Sequence, residues 1–206
     1  MPKIKLTKGE LKKQRDSLKQ YLRYLPTLLL KKQQLQMEIL RQLMLLEETE
    51  HSREVKTNAI LSWSGLLATD PVINLADFLK PKTIALSTKN IAGVDVPIFE
   101  GMEFLPAEYD LFATPLWMDA GIEALRAQIS LRKEIEVLKK GILVLRQELR
   151  ITTQRVNLFE KVKIPEAQEA IRLIKIYLGD QMANAVGRSK IAKRKIEKAA
   201  LEEVYV

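Results

Sequence analysis

One histidine stands among carboxylates in this sequence. His51 has Glu47, Glu48 and Glu54 within one helical turn. Glu48-x-x-His51 is half of the motif with which helical bundles hold two metal ions. That chemistry needs a second such pair. The chain has one histidine and no cysteine, which leaves no second motif, thiolate metal site, cysteine nucleophile or disulfide framework. His51 therefore reads as a solvated, ion-paired side chain. Neighbouring acids such as Glu47-Glu48 and Glu202-Glu203 would do acid–base work only if a cleft converged them and shifted their pKa values. A pair of long helices offers few clefts. No two glycines have the spacing of a phosphate-cradling loop, and Gly-Lys-Ser/Thr does not occur. No catalytic residue, cofactor-binding residue, metal ligand or cofactor is assigned.

The elements that must position any functional side chain are long helices. The 206 residues carry a formal net charge of +8 and are 47% hydrophobic, rich in Leu, Lys, Glu, Gln, Ile and Ala. Residues 1–69 form a first arm. Thr7 can cap it, with Glu10 at the capping-box position. Leu11, Leu18, Leu22, Leu25, Leu28, Leu35, Ile39, Leu43 and Leu46 then recur at helical spacing. Pro26 interrupts that stripe and predicts a kink, or a helix that restarts at Thr27.

Residues 116–206 form a second arm with the clearest signal in the chain. Leu131, Ile135, Leu138, Ile142, Leu145, Leu149, Thr152, Val156 and Phe159 alternate in steps of 4 and 3, the seam of a left-handed coiled coil. Pro165 predicts a bend, after which Ile171, Ile174, Leu178, Met182 and Ala185 resume the pattern. Between the arms, residues 70–115 form a globular insert that holds five of the eight prolines. Near-alternating β-formers on either side of Asn90 to Gly93 predict a β-hairpin, with Pro97 on an edge.

The fold class is therefore mainly α: a long antiparallel two-helix coiled coil with a small insert containing a β-hairpin. Neither arm can hide its stripe alone, because an isolated helix gains most of its stability from packing. Such a hairpin brings both termini to one end and sets the insert at the other. Trp63 and Trp117 fall at the junctions between arms and insert, and read as core anchors. Met37, Met44, Met102, Met118 and Met182 read as filler of seam or core. Gly141, Gly179 and Gly187 each weaken the second arm as a helix. They are either tolerated exposed sites or places where another backbone comes close.

Charge is uneven along this arrangement. Lys3, Lys5, Lys8, Lys12 and Lys13 open the chain. Arg188, Lys190, Lys193, Arg194 and Lys195 come near its end, and the insert is acidic. A basic tip and an acidic head imply different partners at the two ends. These ten cations are the candidate partner-binding residues, facing an acidic protein sleeve. Nucleic acid is disfavoured, since the basic stretches carry neither a recognition motif nor an array of stacking aromatics. The start of the chain has no apolar leader. The longest apolar clusters fall far short of the ~18–20 residues that a membrane span requires. The expected location is cytoplasmic, touching a membrane only through partners.

Three stretches resemble one known family. They are the opening Leu6-Thr7-Lys8-Gly9-Glu10-Leu11, continuing to Leu28-Leu29-Leu30-Lys31-Lys32-Gln33; then Gly93-Val94-Asp95-Val96-Pro97; and Arg155-Val156-Asn157-Leu158-Phe159-Glu160 continuing to Ile164-Pro165. In order and spacing, from about residue 6 to 200, they are similar to the D subunit of the V-type and A-type rotary ATPases, the central-stalk rotor subunit. Pro26-Thr27 stands where that family tends to have small or helix-forming residues. Gln33-Gln34 replaces a more basic run, and Phe159 stands where Leu is usual. The resemblance implies a non-catalytic shaft. Its coiled-coil end would turn inside a ring of catalytic and regulatory nucleotide-binding subunits. Its other end would couple through a socket subunit to an ion-translocating membrane ring, with a small F-like subunit on its side. Two other readings stay open on the residues alone: a structural coiled-coil scaffold, or a basic nucleic-acid-associated protein.

Overall fold

The computed structural model describes residues 5–65, 75–110 and 114–204, the last stretch with side chains to residue 198. Helix α1 runs Lys8–Leu61. Thr7 caps it: the Glu10 backbone N–H donates to Thr7 Oγ1 at 3.3 Å. The Glu10 carboxylate does not turn back to complete a capping box, but accepts from Gln14 Nε2 at 2.8 Å, one turn on. The helix passes through Pro26 and does not restart at Thr27. A proline inside a helix costs roughly 3 kcal/mol through a lost hydrogen bond and a displaced carbonyl. Here Pro26 and Leu22, whose carbonyl loses its partner, are both exposed, so water reaches the disturbance. Leu25 and Leu28 on either side are half-buried and continue the packed face. Thr27 Oγ1 donates to the Tyr24 carbonyl at 2.8 Å.

After α1 come a short helix α2 (Leu75–Phe78) and strands β1 (Pro81–Ile91) and β2 (Val94–Phe104). Helix α3 (Met118–Leu158) passes through a π-helical turn, Phe159–Lys163, directly into α4 (Ile164–Val204). The second arm is thus helical on both sides of Pro165. Along its expected seam Ile135, Ile142, Leu145, Thr152 and Val156 are buried, and Leu131, Leu138, Leu149 and Phe159 half-buried.

The chain divides into two compact units: residues 30–152, and the residues up to 29 together with those from 153 on. In the first, α1 and α3 are antiparallel. Lys31 pairs with Glu148 at 2.8 Å and Glu50 with Lys139 at 2.7 Å, while Thr57 hydrogen-bonds Gln128, so one number falls as the other rises. Leu35 and Ile39 of α1, Leu145 of α3 and Val94 and Val96 of β2 make one core.

The two strands pair antiparallel from Ile91 opposite Val94 to Pro81 opposite Phe104. Glu100 and Lys82 are extra residues where the register slips. The connection is two residues, Ala92 and Gly93, with φ of 52° and 79°. Positive φ at both positions is the turn whose twist matches that of the strands. Asn90 secures it: Oδ1 accepts the Gly93 N–H at 3.1 Å, and Nδ2 donates to Asp95 Oδ1 at 2.7 Å. The hairpin lies on α3 at Gly141, where a Cβ would come within 2.9 Å of Val96 Cγ1. The glycine is needed because β2 of the same chain occupies that space.

At the hairpin's base Arg126 of α3 acts as a clamp. Its guanidinium donates to the Phe78 carbonyl at 3.0 and 2.8 Å and to the Leu105 carbonyl at 2.6 Å, and lies 5.2 Å from the Phe104 ring centroid. Trp117 and Trp63 converge on Gly121, where a Cβ would lie 3.1 Å from one indole and 3.7 Å from the other.

In the second unit Tyr21 of α1 packs on Phe159, with ring centroids 5.3 Å apart. Beyond the π turn, Ala167, Ala170, Ile171 and Ile174 are buried. Met182 and Ala185, expected to continue the seam, are exposed. The reason is geometric. Counted back from the Tyr21–Phe159 contact, the opposite helix α1 runs out at Lys8. On α4 burial ends at Ile174, with Leu178 half-buried, and every described side chain from Gly179 to Lys198 is exposed.

Candidate functional site

His51 and its acids lie on the outward face of α1. Glu47, Glu48, His51 and Glu54 are all exposed and border an open surface, not a cleft. Glu50 is drawn across to Lys139. Among the described residues no three His, Cys, Asp or Glu side chains are grouped so as to hold a metal ion. The carboxylate with the largest change in acidity, Glu136, sits on α3. Hydrogen bonds from Lys140 and Lys133 and the charges of both hold its carboxyl down to about 2. Glu169 is likewise lowered by its hydrogen bond from Arg172. Each is an ion pair on an exposed face of its own helix, a common feature of solvated helices.

The basic residues are arranged differently. Lys5, Lys8, Lys12 and Lys13 are exposed at the beginning of α1, and Arg188, Lys190, Lys193, Arg194 and Lys195 are exposed on α4. Lys3 lies outside the described residues. Both groups belong to the same compact unit. Lys193 approaches Glu197 at 3.7 Å, a weak surface pair.

The residues between these cations were not legible as a surface in the sequence. From Gly179 to Lys198 every side chain is exposed, including Met182 and Val186 at 56%, Ile191 at 59% and Ile196 at 70%. A helix of this length gains most of its stability from a packed face, and among the described residues none covers this stretch. Large apolar side chains interleaved with exposed cations make a surface that is both apolar and basic. The signal in the sequence was ambiguous. The apolar spacing past Ile174 looks the same whether the chain's own partner helix continues or has ended.

Comparison with known proteins places the chain in a family. A family model describing the D subunit of ATP synthase matches residues 10–194. The V-type ATP synthase D subunit of Borreliella burgdorferi is 47% identical over 205 residues, spanning 96% of this chain and 97% of that protein. The protein of the same description from Chlamydia pneumoniae is 35% identical over 198 residues, spanning 94% of this chain and 93% of its own. That from Chlamydia trachomatis serovar L2 is 33% identical over 198 residues, spanning 94% and 96%.

Proposed function

The chain belongs to the ATP synthase D-subunit family, and on that premise we propose that it is the central rotor shaft of a V/A-type rotary ATPase. In this reading it is a non-catalytic subunit that transmits torque between a nucleotide-handling ring and a membrane ring that moves ions. Residues 1–69 and 116–206 supply the arms of the shaft and residues 70–115 its head. The observation that carries the reading is the uncovered basic stretch of α4, which follows directly on a seam buried against α1.

A shaft must resist twist, and a close-packed seam gives it stiffness. It must also turn within its sleeve, so the sleeve contact has to be favourable in several poses. Charge attraction is long-ranged and tolerant of pose, and the exposed cations Lys5, Lys8, Lys12, Lys13, Arg188, Lys190, Lys193, Arg194 and Lys195 supply it. As an asymmetric shaft turns, each catalytic subunit meets a different face, which shifts the balance of its open and closed states. Nucleotide chemistry belongs to the ring. No helix among the described residues is long and apolar enough to cross a membrane. The acidic insert accordingly couples to the membrane ring through a socket subunit, and a small F-like subunit binds the side of the arms.

The test is reconstitution in vesicles of the nucleotide ring, socket subunit and membrane ring with the full chain or with a chain ending at Gly187. The full chain is expected to bind and to support ATP-driven ion movement. The shortened chain should lose at least tenfold in coupled transport, with the ring's own hydrolysis retained. Equal transport by both would overturn the reading. So would recovery of the chain only as a self-associated species or bound to nucleic acid.

A further inference from the structure

The seam of the second arm contains one residue too many, and the π turn is where it goes. From Leu131 to Phe159 the inward positions advance in alternate steps of 4 and 3. Continued without a break, that rhythm would next turn Lys163, Glu166, Ala170, Leu173 and Tyr177 inward. The structure instead buries Ala167, Ile171 and Ile174 and half-buries Ile164 and Leu178, while Glu166, Leu173 and Tyr177 are exposed. Of the unshifted positions, Ala170 stays buried beside Ile171 and Lys163 half-buried, so the centre of the inward face has moved on by one residue. The Ile164 N–H donates to the Phe159 carbonyl, five residues back, so this turn holds one residue more than an α turn.

Pro165 is placed to tolerate that wide turn. It has no N–H, and in a regular α-helix its ring would crowd the carbonyl four residues earlier, that of Lys161. The wide turn opens the helix at just that carbonyl. The turn is anchored at its start by Tyr21 on Phe159, and at its end Lys163 makes only a surface pair with Glu166 at 3.3 Å. Glu160, Lys161 and Val162 are exposed.

We propose that Phe159–Lys163 is a one-residue register insert and that it is the point at which the second arm yields. Two tendencies oppose each other there. Regular hydrogen bonding favours collapse to an α turn. Collapse would rotate everything beyond Ile164 by about 100° about the helix axis, the angle of one residue. That rotation would carry Ala167, Ile171 and Ile174 out of the seam. Burial of those side chains holds the turn open, and the strain of twisting either flank gathers in its weaker hydrogen bonds.

The test uses the full chain, thermal unfolding by circular dichroism, and amide hydrogen exchange read by mass spectrometry. Amides of residues 160–164 are expected to exchange more than tenfold faster than those of the turns on either side. Deleting Lys161 together with Pro165→Ala removes both the extra residue and the clash that an α turn would meet. That variant should melt at or above the wild-type temperature and lose the fast exchange. Deleting Lys161 alone should melt lower, because the proline then meets a regular turn. Pro165→Ala alone should keep the fast exchange, since the register and not the proline requires the wide turn. Removing both Lys161 and Val162 with Pro165→Ala should lower the melting temperature by more than 5 °C, as the seam is lost. Two results would overturn the proposal: a one-residue deletion in the Pro165→Ala background as damaging as the two-residue deletion, or abolition of the fast exchange by Pro165→Ala alone.

Discussion

Two stretches of the second arm carry the same mixture of apolar and charged residues and meet different surroundings. From Ile122 to Ile174 its inward side chains are buried or half-buried. From Gly179 to Lys198 all are exposed. The glycines mark the contrast. Gly141 lies where a methyl group would strike Val96, whereas Gly179 and Gly187 have nothing within 4 Å of where a Cβ would stand. Helical periodicity therefore identifies a surface that wants a cover. Whether the cover is the same chain or another depends on where the opposite helix begins.

The sharpest test of the contrast is at the seam. Leu145 is 0% exposed and touches α1 and β2 core residues, so Leu145→Ala should cost about 3 kcal/mol of unfolding free energy in denaturant titration. A cost under 1 kcal/mol would mean that this packing is not what stabilises the covered stretch. The next largest effect is expected at Gly141→Ala, with a loss of about 1–3 kcal/mol. Val96 is buried, branched at Cβ and unable to withdraw cheaply. The same change at Gly187 should act in the opposite direction. Gly187→Ala meets open space and raises helix propensity, for a gain of up to about 1 kcal/mol in local helix stability, read as slower amide exchange on α4. Loss of helix at Gly187→Ala would show that some neighbour already covers that stretch.

The smallest effect is electrostatic. The Glu136 carboxyl lies below its ordinary value, at about 2 in the folded chain, so its stabilising contribution is present above about 4.5 and fades as pH falls toward 2. Wild type and Glu136→Gln should differ most at neutral pH and low salt and converge near pH 2 in thermal melts. The pair is exposed, so the difference should be slight at physiological salt.

Much of this architecture was legible in the sequence because its signals are periodic or local. The alternation of 4 and 3 from Leu131 to Phe159 described an inward face. The β-formers around Asn90 to Gly93 described a hairpin, although the turn residues proved to be Ala92 and Gly93. What escaped depended on the rest of the fold. A restart at Thr27 was a fair consequence of Pro26, but packing on both sides and an exposed carbonyl let the helix continue. The extra residue before Pro165 went unread, because the pattern resumes at Ile171 and a wide turn that restores the inward face erases its own trace. Arg126 carries no signal of its own in the sequence, yet it joins the hairpin's base to α3 through two backbone carbonyls. Gly141 drew notice as an odd residue in a helix, and only the position of Val96 decided why. Of the candidate site, the cations were readable by type. Their lack of cover was not, since it follows from where α1 begins.

The chain has two tryptophans, Trp63 and Trp117, and both rest beside Gly121. Its tryptophan fluorescence, excited beyond the absorption of the five tyrosines, therefore speaks for one small neighbourhood, whereas circular dichroism averages over every helical residue. A melt followed by both signals would act as a local and a global thermometer in one cuvette. Coincident curves would mean that this neighbourhood comes apart with the helices at large. An earlier optical change would mean that the junction opens first, while most of the helix is still intact.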